Sequence, residues 1–229
     1  MKIHCCSFAS ENFAFKQNIQ KKYFLAAGFK NEEIHLLNPE KLGNHFYKNQ
    51  PNASENNKFG WFTFKPYSLL STLEIIEEGD ILLYMDVNDK PLKGIKEYLE
   101  YQFLNKKVDL LAPSTNYFNI KFLSLFHRSN LSPELIFSSY FNFQPEAGAI
   151  AIRKSTKSKF ILWTWYYLTL INSHELDKNY PQKTRHDQET LFILSRIYKS
   201  IKLESWFIYK ISRKGIRRFI DFEKLRDQF

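Results

Sequence analysis

The 229-residue chain is short of glycine, cysteine and long apolar runs, and each shortage excludes something. Seven glycines are too few for a collagen-like or low-complexity class. The two cysteines, Cys5 and Cys6, are neighbours in a predicted first strand. They cannot easily bridge each other there and have no remote partner, so a reducing compartment is expected. Nowhere do about 18 apolar residues run together, as a membrane-spanning helix needs. The opening "MKIHCCSFAS" also lacks the apolar stretch of a signal peptide. A cytoplasmic protein is the expectation.

What is present is an apolar content of 44%, enough to fill the core of one large domain. Lysine and arginine number 33 against 24 acidic residues, and the net charge of +9 favours an anionic partner. Nucleic acid, an acidic membrane surface and a phosphorylated substrate all qualify. No RNP-like, zinc or helix-turn-helix signature accompanies the charge, which argues against nucleic acid.

Patterning sets the fold class. "KIHCCSF" reads as a strand, "NFAFKQNIQKKYFLAAGF" as a helix ended by Gly28, and "EEIHLLNP" as a second strand stopped by Pro39. Residues 43–58, polar and rich in asparagine, read as a loop. "TFKPYSLLSTLEIIEEGD" carries a helix with Pro66 in its first turn, apolar positions at Leu69, Leu70, Leu73 and Ile76, and Gly79 as its stop. The run "ILLYM" that follows is continuously apolar, as a strand covered on both faces should be. Strand, helix, strand, helix, strand predicts an α/β domain with a mostly parallel sheet.

Ligands of such sheets gather outside the carboxyl ends of the strands, where "MDVND" places Asp86, Asn88 and Asp89. Asp86 and Asn88 share a side of an extended chain, and Asp89 joins them only if the chain turns. Oxygen ligands so placed suit Mg²⁺ or Mn²⁺ shared with substrate phosphates. The same residues also favour turns for purely structural reasons.

Further on, "EAGAIAIRK" alternates as a strand that opens on Glu146 and Gly148. "TRHDQETLFILSRIY" reads as a helix with Arg185, His186, Asp187 and Gln188 at its start. Thr184 and Asp187 could form a capping box there. The tail, 208–229, repeats apolar residues near helical spacing beside Lys210, Arg213, Lys214, Arg217 and Arg218. Such a basic amphipathic segment suits either an anionic membrane, here the inner face of the cytoplasmic membrane, or docking on the domain.

Four blocks, "FGWFTFKPYSLL", "GDILLYMDV", "EAGAIAIRK" and "TRHDQETLFILSRIY", resemble in content and order a family of bacterial glycosyltransferases that build capsules and lipopolysaccharide outer cores. That family is similar to glycosyltransferase family 8. The resemblance implies a single GT-A nucleotide-sugar domain over residues 1–207, with 208–229 as an appended segment. It implies a nucleotide-sugar donor, a glycan or glycolipid acceptor and a bound Mn²⁺ or Mg²⁺.

Residue by residue, Asp86 matches the first aspartate of a D-x-D motif. Asn88 stands at the second position, with Asp89 as its possible substitute. Lys65 matches the lysine of a W-K-P block and would lie beside the phosphates at a helix N-terminus. Ser7 and Phe8 would hold the nucleoside, Tyr84 would line the nucleotide pocket, and Glu146 and Gly148 would border the sugars. His186 stands in the "RHDQ" block, where Asp187 would hold donor-sugar hydroxyls and Gln188 would lie close to the anomeric carbon. Retention of anomeric configuration follows from the same resemblance, whose C-terminal metal-binding histidine has no counterpart here. A Mg²⁺-dependent phosphohydrolase is the alternative, but its D-x-D-x-[TV] motif would need aspartate in place of Asn88 and threonine or valine in place of Lys90.

Overall fold

The computed structural model describes residues 1–51, 53–56, 58–106, 108–115, 144–145, 147–179, 186–204 and 210–211. The chain begins with β1 (Ile3–Phe8), α1 (Ala14–Ala26), β2 (Ile34–Leu37) and α2 (Pro39–Asn49). A short turn of helix, α3 (Lys58–Trp61), leads into α4 (Phe64–Ile75) and β3 (Ile81–Met85). Then come β4 (Asp89–Lys90), α5 (Ile95–Asn105), β5 (Leu110–Thr115), β6 (Gln144–Pro145) and β7 (Ala149–Arg153). Helices α6 (Thr156–Asn179) and α7 (His186–Ile197) and strands β8 (Ile201–Glu204) and β9 (Lys210–Ile211) complete the described elements.

A seven-stranded sheet of order β2-β1-β3-β7-β5-β6, with β8 also paired to β5, forms the centre. The β1–β2, β1–β3 and β5–β8 pairs are parallel, and β7 runs antiparallel to both β3 and β5. The sheet is therefore mostly parallel, as its sequence predicts.

Alternation divides the core in two. Leu82 and Tyr84 of β3 join Cys6, Phe8, Ile150 and Ile152 on one face, beneath α2, α4, α6 and α7. Ile81, Leu83 and Met85 join Ile3, Cys5, Ala149 and Ala151 on the other, beneath α1 and α5. Burial on both faces is why β3 carries no charged residue, each buried apolar side chain contributing about 1.5–3 kcal/mol. Cys5 and Cys6 point into opposite cores, are free, and have thiols whose pKa burial pushes up, that of Cys6 to about 12. They are inert core residues.

Two sequence expectations need correction. Much of the 43–58 segment predicted as loop is the second half of α2, which Asn38 caps by accepting the Lys41 N–H at 3.0 Å. Pro39 occupies its first turn, and Leu42 and Phe46, one turn apart, bury its apolar edge. Gly43, at φ +70, breaks the helical dihedrals part-way along. In the tail, Lys210 and Ile211 lie in a strand paired with Asp89 and Lys90, so the helical spacing does not hold at those two residues. The rest of 208–229 lies outside the described residues. No helix among the described residues is long and apolar enough to cross a membrane.

Candidate active site

The carboxyl edge of the sheet is built around Lys65. Its residue is 5% exposed, in the first turn of α4, and its Nζ lies 3.1 Å from Asp86 Oδ2 and 2.9 Å from Asp187 Oδ2. It also donates to the Ala147 carbonyl at 3.3 Å. Burial alone would lower the lysine pKa, but the charges and hydrogen bonds of Asp187 and Asp86 outweigh it and hold the ammonium above its ordinary value.

Each partner is positioned by a different element. Asp86 leaves the end of β3, where its N–H donates to the Gly148 carbonyl at 2.7 Å and ties it to the start of β7. Its Oδ1 accepts from the fully buried Tyr84 hydroxyl at 2.9 Å. Tyr84 thus braces Asp86 from within the core, and its own pKa is raised by burial and by that carboxylate. Asp187 lies in the first turn of α7, with its backbone carbonyl held by the Trp165 indole N–H at 3.0 Å. Gln188 is 9% exposed and its side chain makes no hydrogen bond among the described residues.

The Asp86–Asp89 turn is closed by the Asp89 N–H on the Asp86 carbonyl at 2.8 Å. Gln20 of α1 clasps it by donating to the carbonyls of Asp86 at 2.7 Å and Asp89 at 3.1 Å. The chain does turn, yet Asp89 is buried at 5% exposure. Asn88 Oδ1 accepts from Lys16 Nζ at 2.8 Å. Lys16 was not foreseen, because nothing in the sequence of α1 marks one lysine among several as the one that reaches this edge.

Ser7 is fully buried and accepts from Gln17 at 3.3 Å. Phe8 is 5% exposed, with its ring 4.4 Å from that of Phe64 and 5.2 Å from that of Phe59. Both side chains are packed in the core at the end of β1, the strand that runs parallel beside β3. Glu146, Arg185 and Thr184 lie outside the described residues, and His186 begins α7 with a side chain that is not described. An unforeseen aromatic, the partly exposed Phe62 at φ +76, sits with its ring 5.1 Å from Lys65 Nζ. It closes a strained segment in which Lys58 and Phe59 also have positive φ.

The donor set bears on metal binding. No group of three histidine, cysteine or acidic side chains gathers among the described residues. Asp86, with a side chain 35% exposed, and the Asn88 amide, whose Oδ1 also accepts from Lys16, are the oxygen donors at the turn. Mg²⁺ commonly takes one or two protein carboxylates and completes its shell with phosphates and water. The residues therefore fit a cation shared with a phosphorylated ligand and do not fit a self-sufficient protein cage.

No protein-family model matches the sequence, and no curated protein matches it. Among solved structures, apo mouse xyloside xylosyltransferase 1 superposes with a TM-score of 0.50 at 10% identity, covering 89% of this chain and 85% of that one. The chain has the GT-A fold. The galactosyltransferase LgtC with donor and acceptor sugar analogues is also similar, at TM-score 0.46 and 13% identity over 88% of this chain and 72% of LgtC. An active-site mutant of LgtC gives 0.45 and 15% over 84% and 70%. In this GT-A domain the Lys65 cluster occupies the carboxyl edge of β3, the position where open α/β sheets take ligands.

Proposed function

We propose that the chain is a glycosyltransferase that moves a sugar from a nucleotide-sugar donor, a UDP-sugar being the first choice, to a surface glycan such as lipopolysaccharide or capsule. The observation that carries this reading is the Lys65 ammonium held between Asp86 and Asp187. Three of the four sequence blocks that resemble the capsule and lipopolysaccharide enzymes supply one residue each to a single charged cluster. Fold alone hosts many chemistries, so the activity is argued from this cluster.

In this reading Asp187 orients donor-sugar hydroxyls through Oδ1, the oxygen that Lys65 does not engage. Gln188, adjacent and without a hydrogen-bond partner among the described residues, lies beside the anomeric carbon. Asp86 and Asn88 would hold Mg²⁺ or Mn²⁺ together with the donor, and the cation would supply Lewis-acid neutralisation of the leaving diphosphate. Lys65 keeps both carboxylates in place. Among the described residues no exposed carboxylate pair of the kind glycoside hydrolysis uses flanks the site, and retention is what the family resemblance implies. The basic tail would bring the domain to an anionic membrane that carries a glycolipid acceptor.

A panel of UDP-, GDP- and CMP-sugars, scored for binding and for slow donor hydrolysis with and without Mn²⁺, tests the reading. One nucleotide class should bind and be hydrolysed, with affinity improved by the metal. No binding across the panel would reject it.

A further inference from the structure

We infer that Lys16 and Asn88 form a diphosphate-binding site in which a lysine ammonium does part of the charge neutralisation that a second carboxylate and its metal would otherwise do. The inference rests on the nucleotide-sugar reading and assigns a site within it.

Lys16 Nζ donates to Asn88 Oδ1 at 2.8 Å, and Asn88 lies in the turn that Asp86 opens. The partner is a neutral amide, and Lys16 has no carboxylate partner among the described residues. Its Nζ stands 5.0 Å from the Phe13 ring centroid and 6.0 Å from that of Phe15, uncharged rings that do not neutralise it. The ammonium is half-buried, so its field is screened less than that of a solvated lysine.

The chemistry follows from the exchange at position 88. An aspartate there would pair with Lys16 and cancel its charge. The asparagine that is present orients the ammonium and leaves the charge available. Gln20 fixes the backbone of the same turn through the Asp86 and Asp89 carbonyls, so the ammonium and the Asp86 carboxylate keep a set relation. A dianionic or trianionic diphosphate complements such a cation, and a fixed ammonium needs no metal to attract it. Metal and lysine would then act on the same diphosphate from different sides.

The test is calorimetry of the whole chain with inorganic pyrophosphate in EDTA. Wild type should bind, Lys16→Met should bind about tenfold more weakly or worse, and Lys16→Arg should stay within about threefold of wild type. Asn88→Asp leaves the lysine in place but gives it a carboxylate, and it should weaken binding as Lys16→Met does. That arm separates lost charge from lost packing on Phe13 and Phe15. Equal affinity in wild type and Lys16→Met, or no binding of pyrophosphate by wild type, would overturn the site. Failure of the parent reading looks different: pyrophosphate would still bind through Lys16 while UDP and GDP bound no more tightly than pyrophosphate itself.

Discussion

The two edges of the sheet carry charged clusters of opposite character. At the amino edge, Asp80 accepts the Lys2 N–H at 2.6 Å and lies 3.2 Å from His4 Nε2, while Glu33 pairs with Lys96 at 2.8 Å. Each carboxylate there has its own donors, and the cluster ties the start of β1 to the start of β3. At the carboxyl edge one ammonium serves two carboxylates, and among the described residues a second ammonium donates only to an amide. Saturated charge closes a fold, whereas charge left uneven at a sheet's carboxyl edge is what a ligand can complete.

Removing Lys65 should give the largest effect. Lys65→Met leaves two carboxylates facing each other, one of them 3% exposed, and should cost about 3–5 kcal/mol of stability. Chemical denaturation measures it. A loss no greater than that of Asp80→Asn would erase the contrast between the edges.

The position of that ammonium marks where the sequence stops being legible. The buried β3, its Asp86 terminus and the start of α7 were readable because each is a local pattern of apolar residues and terminators. So was the direction of β1, β2 and β3, since helices separate them. The antiparallel course of β7 was not, because a run such as "AIAIR" looks the same in either direction. Helix α2 was misjudged although its signal was present: Asn38 and Pro39 both start helices, but the polar stretch beyond Gly43 hid the Leu42 and Phe46 pair that anchors it. Lys65 was placed beside phosphates by resemblance, and only tertiary geometry shows its ammonium held between two carboxylates.

Next in size, Asp187→Asn removes a charge-assisted hydrogen bond of about 1.5–3 kcal/mol, and donor turnover should fall roughly ten- to a hundredfold. Unchanged turnover in a folded variant would return Asp187 to a structural role. Asp80→Asn should instead cost about 1–2 kcal/mol of stability and leave nucleotide affinity unaltered. An effect of Asp80→Asn on affinity would show that the two edges are coupled.

The smallest expected effect is in pH dependence. Burial works to raise the Asp80 pKa, but bonds from the Lys2 N–H and His4 overcome it and hold the carboxyl below its ordinary value. Its contribution is therefore present above the unfolded carboxylate pKa of about 3.9 and lost as pH falls through the folded value. The raised Lys65 contributes below the unfolded lysine pKa of about 10.4 and is lost only as pH climbs through its folded value. Melting curves of wild type and Asp80→Asn should thus converge in acid. The gap between wild type and Lys65→Met should hold as pH rises to about 9.

The insertion of β7 between β3 and β5 bears on how the protein is made. During synthesis β1, β2 and β3 emerge early and can pair among themselves, but the second edge of β3 is filled only by Ala149–Arg153. Until the ribosome has produced that strand, Ile81–Met85 presents an open, wholly apolar rim. Nascent chains stalled short of it should be the species most prone to aggregate and most in need of a chaperone.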